Sequence, residues 1–142
     1  MSPAARERFA AARVARLATA GADGPHVVPI VFAVAGDVIY HAVDHKPKRT
    51  TALKRLANLR ADPRASVLAD GYDEDWERLW WVRADGTARI LPAGHEEAIA
   101  LLCERYPQYA ERPPEGPVVA IDVTRWSEWS AAAPRPAGRG GS

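Results

Sequence analysis

The sequence predicts a mainly β protein with helices (α+β) whose strands form an antiparallel barrel. About six segments read as strands, by apolar alternation or by valine-rich runs, and most are joined by short turns. Helical patterns interrupt them at only two interior points, which disfavours a sheet of alternating strands and helices. With 142 residues the chain is long enough for one cored domain but not for two.

The elements follow in order. Residues 3–12 read as a short helix, with Ser2 as N-cap and Pro3 in the first turn. Residues 14–19, VARLAT, set Val14, Arg16 and Ala18 against Ala15, Leu17 and Thr19. GADG at 21–24 is a turn. The run HVVPIVFAV, 26–34, is a strand interrupted by Pro29, which removes a ladder donor. An edge, a bulge or a backbone turned toward something other than a strand is expected there. AGD at 35–37 joins this run to VIYHAV, 38–43, as a hairpin. Thr50 or Thr51 caps a helix with Leu53, Leu56 and Leu59 along one side, and Asp62 and Pro63 end it. Residues 65–70 form a strand, followed by a loop with Asp73, Glu74, Asp75 and Glu77. Residues 79–91 read as a long strand, bulged near Asp85 and Gly86. A second clear helix covers 94–109, with Ile99, Leu101, Leu102 and Tyr106 as its apolar points. The last strand is 117–125. One domain thus spans 1–133, and PRPAGRGGS at 134–142 reads as a disordered tail.

Apolar residues make up 47% and charged residues 26%, and the net charge is +1. That balance argues against coating nucleic acid through a global field. The single cysteine, Cys103, sits in AIALLCERY and reads as a small core residue; no Cys/His cluster has metal spacing. No signal peptide and no stretch of membrane-spanning length is visible, so a cytoplasmic location is expected.

Cations nevertheless gather locally. Lys46, Lys48, Arg49, Lys54, Arg55 and Arg60 occur with no carboxylate among them. Lys46, Lys48 and Arg49 precede a helix start that carries two threonines, where unpaired N–H groups and a partial positive charge suit a phosphate. The plainer alternative is a solvated basic loop. GxxxxGK[ST] and GxGxxG are both absent, so this is neither a Walker loop nor a Rossmann fingerprint.

The order of LATAGADGPHVVPIVFAV, DVIYHAVDHKPKRTTALKRLANLRADPRASVLAD and GYDEDWERLWWVRADGTARIL resembles the pyridoxamine 5′-phosphate oxidase-like split barrels. The match is closest to their F420-dependent oxidoreductase branch. The resemblance implies a six-stranded antiparallel split β-barrel of the FMN-binding type. It also implies a homodimer with the cofactor in a groove between subunits. It places Pro29, Ile30 and Val31 against the cofactor ring, with Tyr40 and His41 facing it. Lys46, Lys48, Arg49, Thr50 and Thr51 fall where the family holds the cofactor phosphate. Trp80 and Trp81 fall near the ring, and adjacent strand residues point oppositely, so at most one touches it.

The implied cofactor is coenzyme F420, with FMN as the alternative. F420 carries a negatively charged tail that suits an extended basic track, and Arg6, Arg8, Arg13, Arg16, Lys54, Arg55 and Arg60 are candidates for one. They are equally readable as ordinary solvated surface. The C-terminal RWSEWSAAAPRP, with Arg125, Trp126 and Trp129, does not reproduce the substrate-phosphate grip of the B6 oxidases. The expectation is hydride transfer between F420 and a small organic acceptor, with no catalytic side chain required. His41 and Tyr40, then His26 and Tyr72, are the candidate proton donors. The rival readings are an FMN-dependent oxidase and a non-catalytic flavin or F420 carrier. The partners expected are a small-molecule substrate and a second copy of the chain, without nucleic acid or membrane.

Overall fold

The computed structural model describes residues 3–43 and 49–132, with the side chains of 49–53 outside the description. Helix α1 (Pro3–Ala11) leads into β1 (Ala15–Gly21), β2 (Gly24–Ile30), β3 (Ala33–Ala35) and β4 (Val38–Ala42). Then come α2 (Arg49–Ala61), β5 (Arg64–Gly71), a short 3-10 turn (Trp76–Arg78) and β6 (Trp80–Leu91). Helices α3 (Glu96–Arg105) and α4 (Pro107–Glu111) precede β7 (Val118–Ser130). The seven strands form one sheet in the order β2-β1-β5-β6-β7-β4-β3, and every pairing is antiparallel.

That order forces closure. Laid flat, seven strands would hold the outer two ~29 Å apart, at about 4.8 Å per step. The outer two are β2 and β3, which Val31 and Phe32 alone connect. Three Cα steps from Ile30 to Ala33 reach about 11 Å at most. The sheet therefore rolls until its edges meet, giving a split barrel.

Among the described residues the split barrel has seven strands, where about six were expected. The run expected as one strand over 26–34 ends at Ile30, because the chain must cross the split at Val31 and Phe32 before pairing again. Pro29 fits because β2 is an edge strand, the place where a sheet admits proline. The bulge between Asp85 and Gly86 is present in the β6–β7 ladder. A Cβ on Gly86 would sit 2.2 Å from the Asp122 carbonyl oxygen, so only glycine passes there.

The expected helix over 94–109 is two helices. Pro107 biases Tyr106 to extended backbone, φ −118° and ψ 118°, and the break makes Tyr106 the cap of both. The final strand runs on to Ser130, past the expected end at 125. The proposed tail, 134–142, lies outside the described residues.

Two cores result. Inside the barrel Leu17, Ile30, Ile39, Val67, Val82 and Ile121 pack together. Leu56 and Leu59 of α2 join this core, and Phe9 of α1 plugs it against Phe32 and Trp126, with ring centroids 5.2 and 5.1 Å away. Outside, α3 lays Ala98 and Leu102 on Tyr40, Ala42, Val118 and Ala120. This is why VVAI of β7 is buried on both faces: Val119 and Ile121 look into the barrel, Val118 and Ala120 toward α3. Among the described residues no helix is long and apolar enough to cross a membrane.

Candidate functional site

A cavity of about 600 Å³ opens beside the split. One wall is the end of β2 and the crossing residue: Pro29, Ile30 and Val31. His41 and Ala42 of β4 and Arg55 of α2 form another, and Tyr106, Gln108 and Tyr109 close it from the α3–α4 junction. Arg13 and Val14 stand at the entrance of β1.

The split needs polar side chains because no ladder crosses it. The Phe32 N–H donates to the Tyr106 hydroxyl at 3.0 Å. That hydroxyl faces the Phe32 and Arg13 carbonyls at 2.9 and 3.1 Å, to which it has one proton to give. Arg105 Nε donates to the same oxygen at 3.2 Å, while its two Nη groups donate to the carbonyls of Ala10 and Ala12 at the end of α1. Tyr106 and Arg105 thus pin α1, the split and α3 together. Arg13 lies over the Tyr106 ring, 4.8 Å from its centroid.

Deeper in the wall, His41 Nε2 is 2.6 Å from Arg55 Nη1, and His41 Nδ1 is 3.3 Å from the Val31 carbonyl oxygen. Burial first, and then the Arg55 charge, push the His41 pKa down to about 3. The imidazole is therefore neutral.

Of the residues singled out in the sequence, Pro29, Ile30, Val31 and His41 meet at this cavity. Tyr40 points the other way, into the core under α3, where burial and then Glu97 raise its pKa. Trp80 packs on the barrel core and covers Gly71, whereas Trp81 lies on the outer face with Arg83, 5.9 Å from its ring centroid. Neither tryptophan borders the cavity. Lys46, Lys48 and the side chains of Arg49, Thr50 and Thr51 lie outside the described residues.

The basic track is partly neutralised in space. Lys54 pairs with Asp23, Arg6 with Asp37 and Arg16 with Asp70. One acid from elsewhere in the sequence, Asp23, thus reaches the cationic stretch at Lys54. By sequence Tyr106 reads as an apolar point, and Gln108 and Tyr109 carry no functional signal of their own. The available signal was a tyrosine directly before a proline inside a helical pattern.

A second concavity carries Thr19, Ser66, Asp85 and Thr124. Its polar groups satisfy one another: Ser66 donates to Asp85 at 2.6 Å, and Arg64 donates to Asp62 at 2.8 Å. Among the described residues no three His, Cys, Asp or Glu side chains are placed to hold a metal.

Comparison with known proteins agrees with the fold. Residues 1–130 match the family model described as Pyridoxamine 5′-phosphate oxidase. A conserved hypothetical protein of Mycobacterium tuberculosis is 26% identical, with 99% of this chain and 93% of that one covered and a TM-score of 0.70. An FAD-binding protein of Mesorhizobium loti is 24% identical, covering 90% and 94%, with a TM-score of 0.66. A heme storage protein of Vibrio cholerae is 16% identical, covering 91% and 93%, with a TM-score of 0.69. No curated protein matches the sequence.

Proposed function

Because the chain belongs to the pyridoxamine 5′-phosphate oxidase family, we propose that it is a flavin-class oxidoreductase whose cavity takes coenzyme F420, with FMN as the alternative. The observation that carries this reading is the cavity's make-up. An apolar wall of Pro29, Ile30 and Val31 faces a buried guanidinium, Arg55, and two tyrosines, in a volume suited to a ring system. The cationic stretch supports the same reading. It connects β4 to α2, and both elements contribute to the cavity wall. A phosphate held by Lys46, Lys48, Arg49 and Thr50 or Thr51 would therefore sit beside the ring site. The FAD-binding protein of similar fold favours a flavin, and the sequence RWSEWSAAAPRP does not reproduce the B6-type substrate grip.

When bound, F420 supplies hydride transfer at its deazaflavin ring. The chain's own residues exclude water and orient. His41 has both ring nitrogens engaged, and Tyr40 lies in the other core, so neither delivers a proton to the cavity. A carrier without turnover is the second reading, favoured by the heme storage protein that shares the fold. We also propose self-association through the outer face of the sheet, where Val27, Leu68 and Trp129 stay exposed. Sedimentation velocity showing only monomer would end that part.

The test of cofactor is direct. Protein from a host without F420 emerges yellow if it retains FMN. Colourless protein is titrated with F420 and with FMN, following fluorescence. Val14→Trp fills the cavity mouth from an exposed position and is expected to weaken binding at least about tenfold, roughly the loss of one good contact. Lys48→Ala combined with Arg49→Ala acts on the phosphate in the same direction. Failure of both cofactors to bind, or indifference to Val14→Trp, overturns the reading. Screening reduced cofactor against enone and quinone acceptors separates enzyme from carrier.

A further inference from the structure

His41 and Arg55 are both buried, 4% and 9% exposed, and they meet on the cavity wall. A guanidinium can only donate, so at 2.6 Å the His41 Nε2 must accept from Arg55 Nη1. The imidazole proton then sits on Nδ1 and donates to Val31 O at 3.3 Å. Val31 is one of the two residues crossing the barrel split. One side chain of β4 therefore braces the crossing with one nitrogen and α2's arginine with the other. A second proton on His41 would set donor against donor, and burial opposes it as well. The arrangement is a single state with a fixed tautomer.

We infer that His41 is a positioning residue: as the Nδ1–H tautomer it fixes the Arg55 guanidinium on the cavity wall, and this fixed cation selects ring ligands with an anionic or carbonyl edge. This deepens the cofactor reading and rests on the same cavity. Arginine suits the task because its planar fork presents donors in a set direction, and an acceptor at Nε2 sets the plane.

The selecting half is tested on the apo protein with two probes of one shape, benzoate and benzamide, followed by NMR shifts of Tyr109 and His41. The wild type is expected to prefer benzoate by about tenfold or more, a typical gain for a hydrogen bond to a charged group. His41→Leu should bring the ratio close to one. His41→Gln, which keeps an acceptor, should restore most of it. Nitrogen-15 spectra should show the Nδ1–H tautomer in the wild type. They should show slow guanidinium rotation at Arg55 in the wild type and His41→Gln, and fast rotation in His41→Leu. Where His41→Leu does not fold, Arg55→Lys, which keeps the charge and loses the fork, takes its place and should lose the preference too. An Nε2–H tautomer, no benzoate preference in the wild type, or a preference indifferent to His41→Leu overturns the proposal. FMN and F420 both failing to bind while the benzoate preference holds would fell the cofactor reading alone. Cofactor binding without that preference would fell this proposal alone.

Discussion

The wall built by β1, β5, β6 and β7 and the seam between β2 and β3 both close the barrel, by different chemistry. In the wall the backbone does it: β6 and β7 pair from Trp80 with Ser130 to Leu91 with Val118, with one bulge. Side chains there need only alternate, and Leu17, Val67, Val82 and Ala84 turn inward. At the seam β3 pairs with β4 over three residues, and the polar groups of Phe32 go to a tyrosine hydroxyl seventy-four positions away. Where a ladder runs, apolar side chains are interchangeable within volume limits. Where it is interrupted, particular polar groups must take its place. Those groups then also border the cavity, which is why the candidate site lies at the seam and not on the wall.

The contrast breaks most readily at the plug. Phe9 is fully buried between Phe32 and Trp126. Phe9→Ala should destabilise by about 3–5 kcal/mol, the range for deleting a buried ring. Urea unfolding would measure it, and cofactor affinity of the folded fraction should barely move. An affinity loss larger than the stability loss would mean that core and cavity are not separable.

Tyr106→Phe is the matching change at the seam. It keeps the ring and removes the oxygen that receives the Phe32 N–H and Arg105 Nε. Leaving a buried donor unpaired costs about 1–3 kcal/mol. Here affinity should fall as well, because Tyr106 lines the cavity. Stability loss with unchanged affinity would make the seam purely structural.

The same division explains what could be read from the sequence. The wall was legible: alternation marks β1 and β7, apolar runs mark β5 and β6, and Asp85-Gly86 marks the bulge, because all of these are local signals. The seam was not. Nothing local says that the valine-rich run must stop at Ile30, since the stop follows from the sheet rolling up. Tyr106 reads as apolar from its place in the helical pattern, although its hydroxyl is what matters. Pro29, Ile30, Val31 and His41 were reached through family resemblance, and Arg55 was counted with a surface track. Its neighbours Leu56 and Leu59 share the buried side of α2, so a buried arginine was readable only once the helix had something to lie on.

A pH series sharpens the comparison further. The folded His41 pKa is about 3, below the ordinary 6.5, so the unfolded chain binds the proton first. Stability from this group is complete above pH 6.5 and is lost as pH falls from there toward 3. Within that window the slope approaches about 1.4 kcal/mol per pH unit. Arg55 is the charged group facing it. The carboxyls of Asp23 and Asp122, lowered by Lys54 and Arg89, add their own losses only as pH drops past their usual 3.8. Urea midpoints between pH 7 and 5 should therefore decline in the wild type and stay flatter in His41→Gln. Equal slopes would show that His41 titrates normally.

The smallest effect belongs on the wall's outer surface. Arg89 Nε and Nη2 donate to Asp122 at 2.6 and 2.9 Å across the β6–β7 pair, a two-pronged contact between half-exposed groups. Hydrogen bonding to Arg89 holds the Asp122 carboxyl below its ordinary value. Solvent and salt screen such a pair, so Asp122→Asn should cost under about 1 kcal/mol. The residue still receives a backbone ladder on both sides, from Val38 of β4 and Thr87 of β6. Those bonds do not depend on its charge. The loss should shrink further in 1 M salt, where the screening length falls to about 3 Å. A loss above that of Tyr106→Phe would mean that side chains, and not the ladder, hold the wall, and would erase the difference between the two regions.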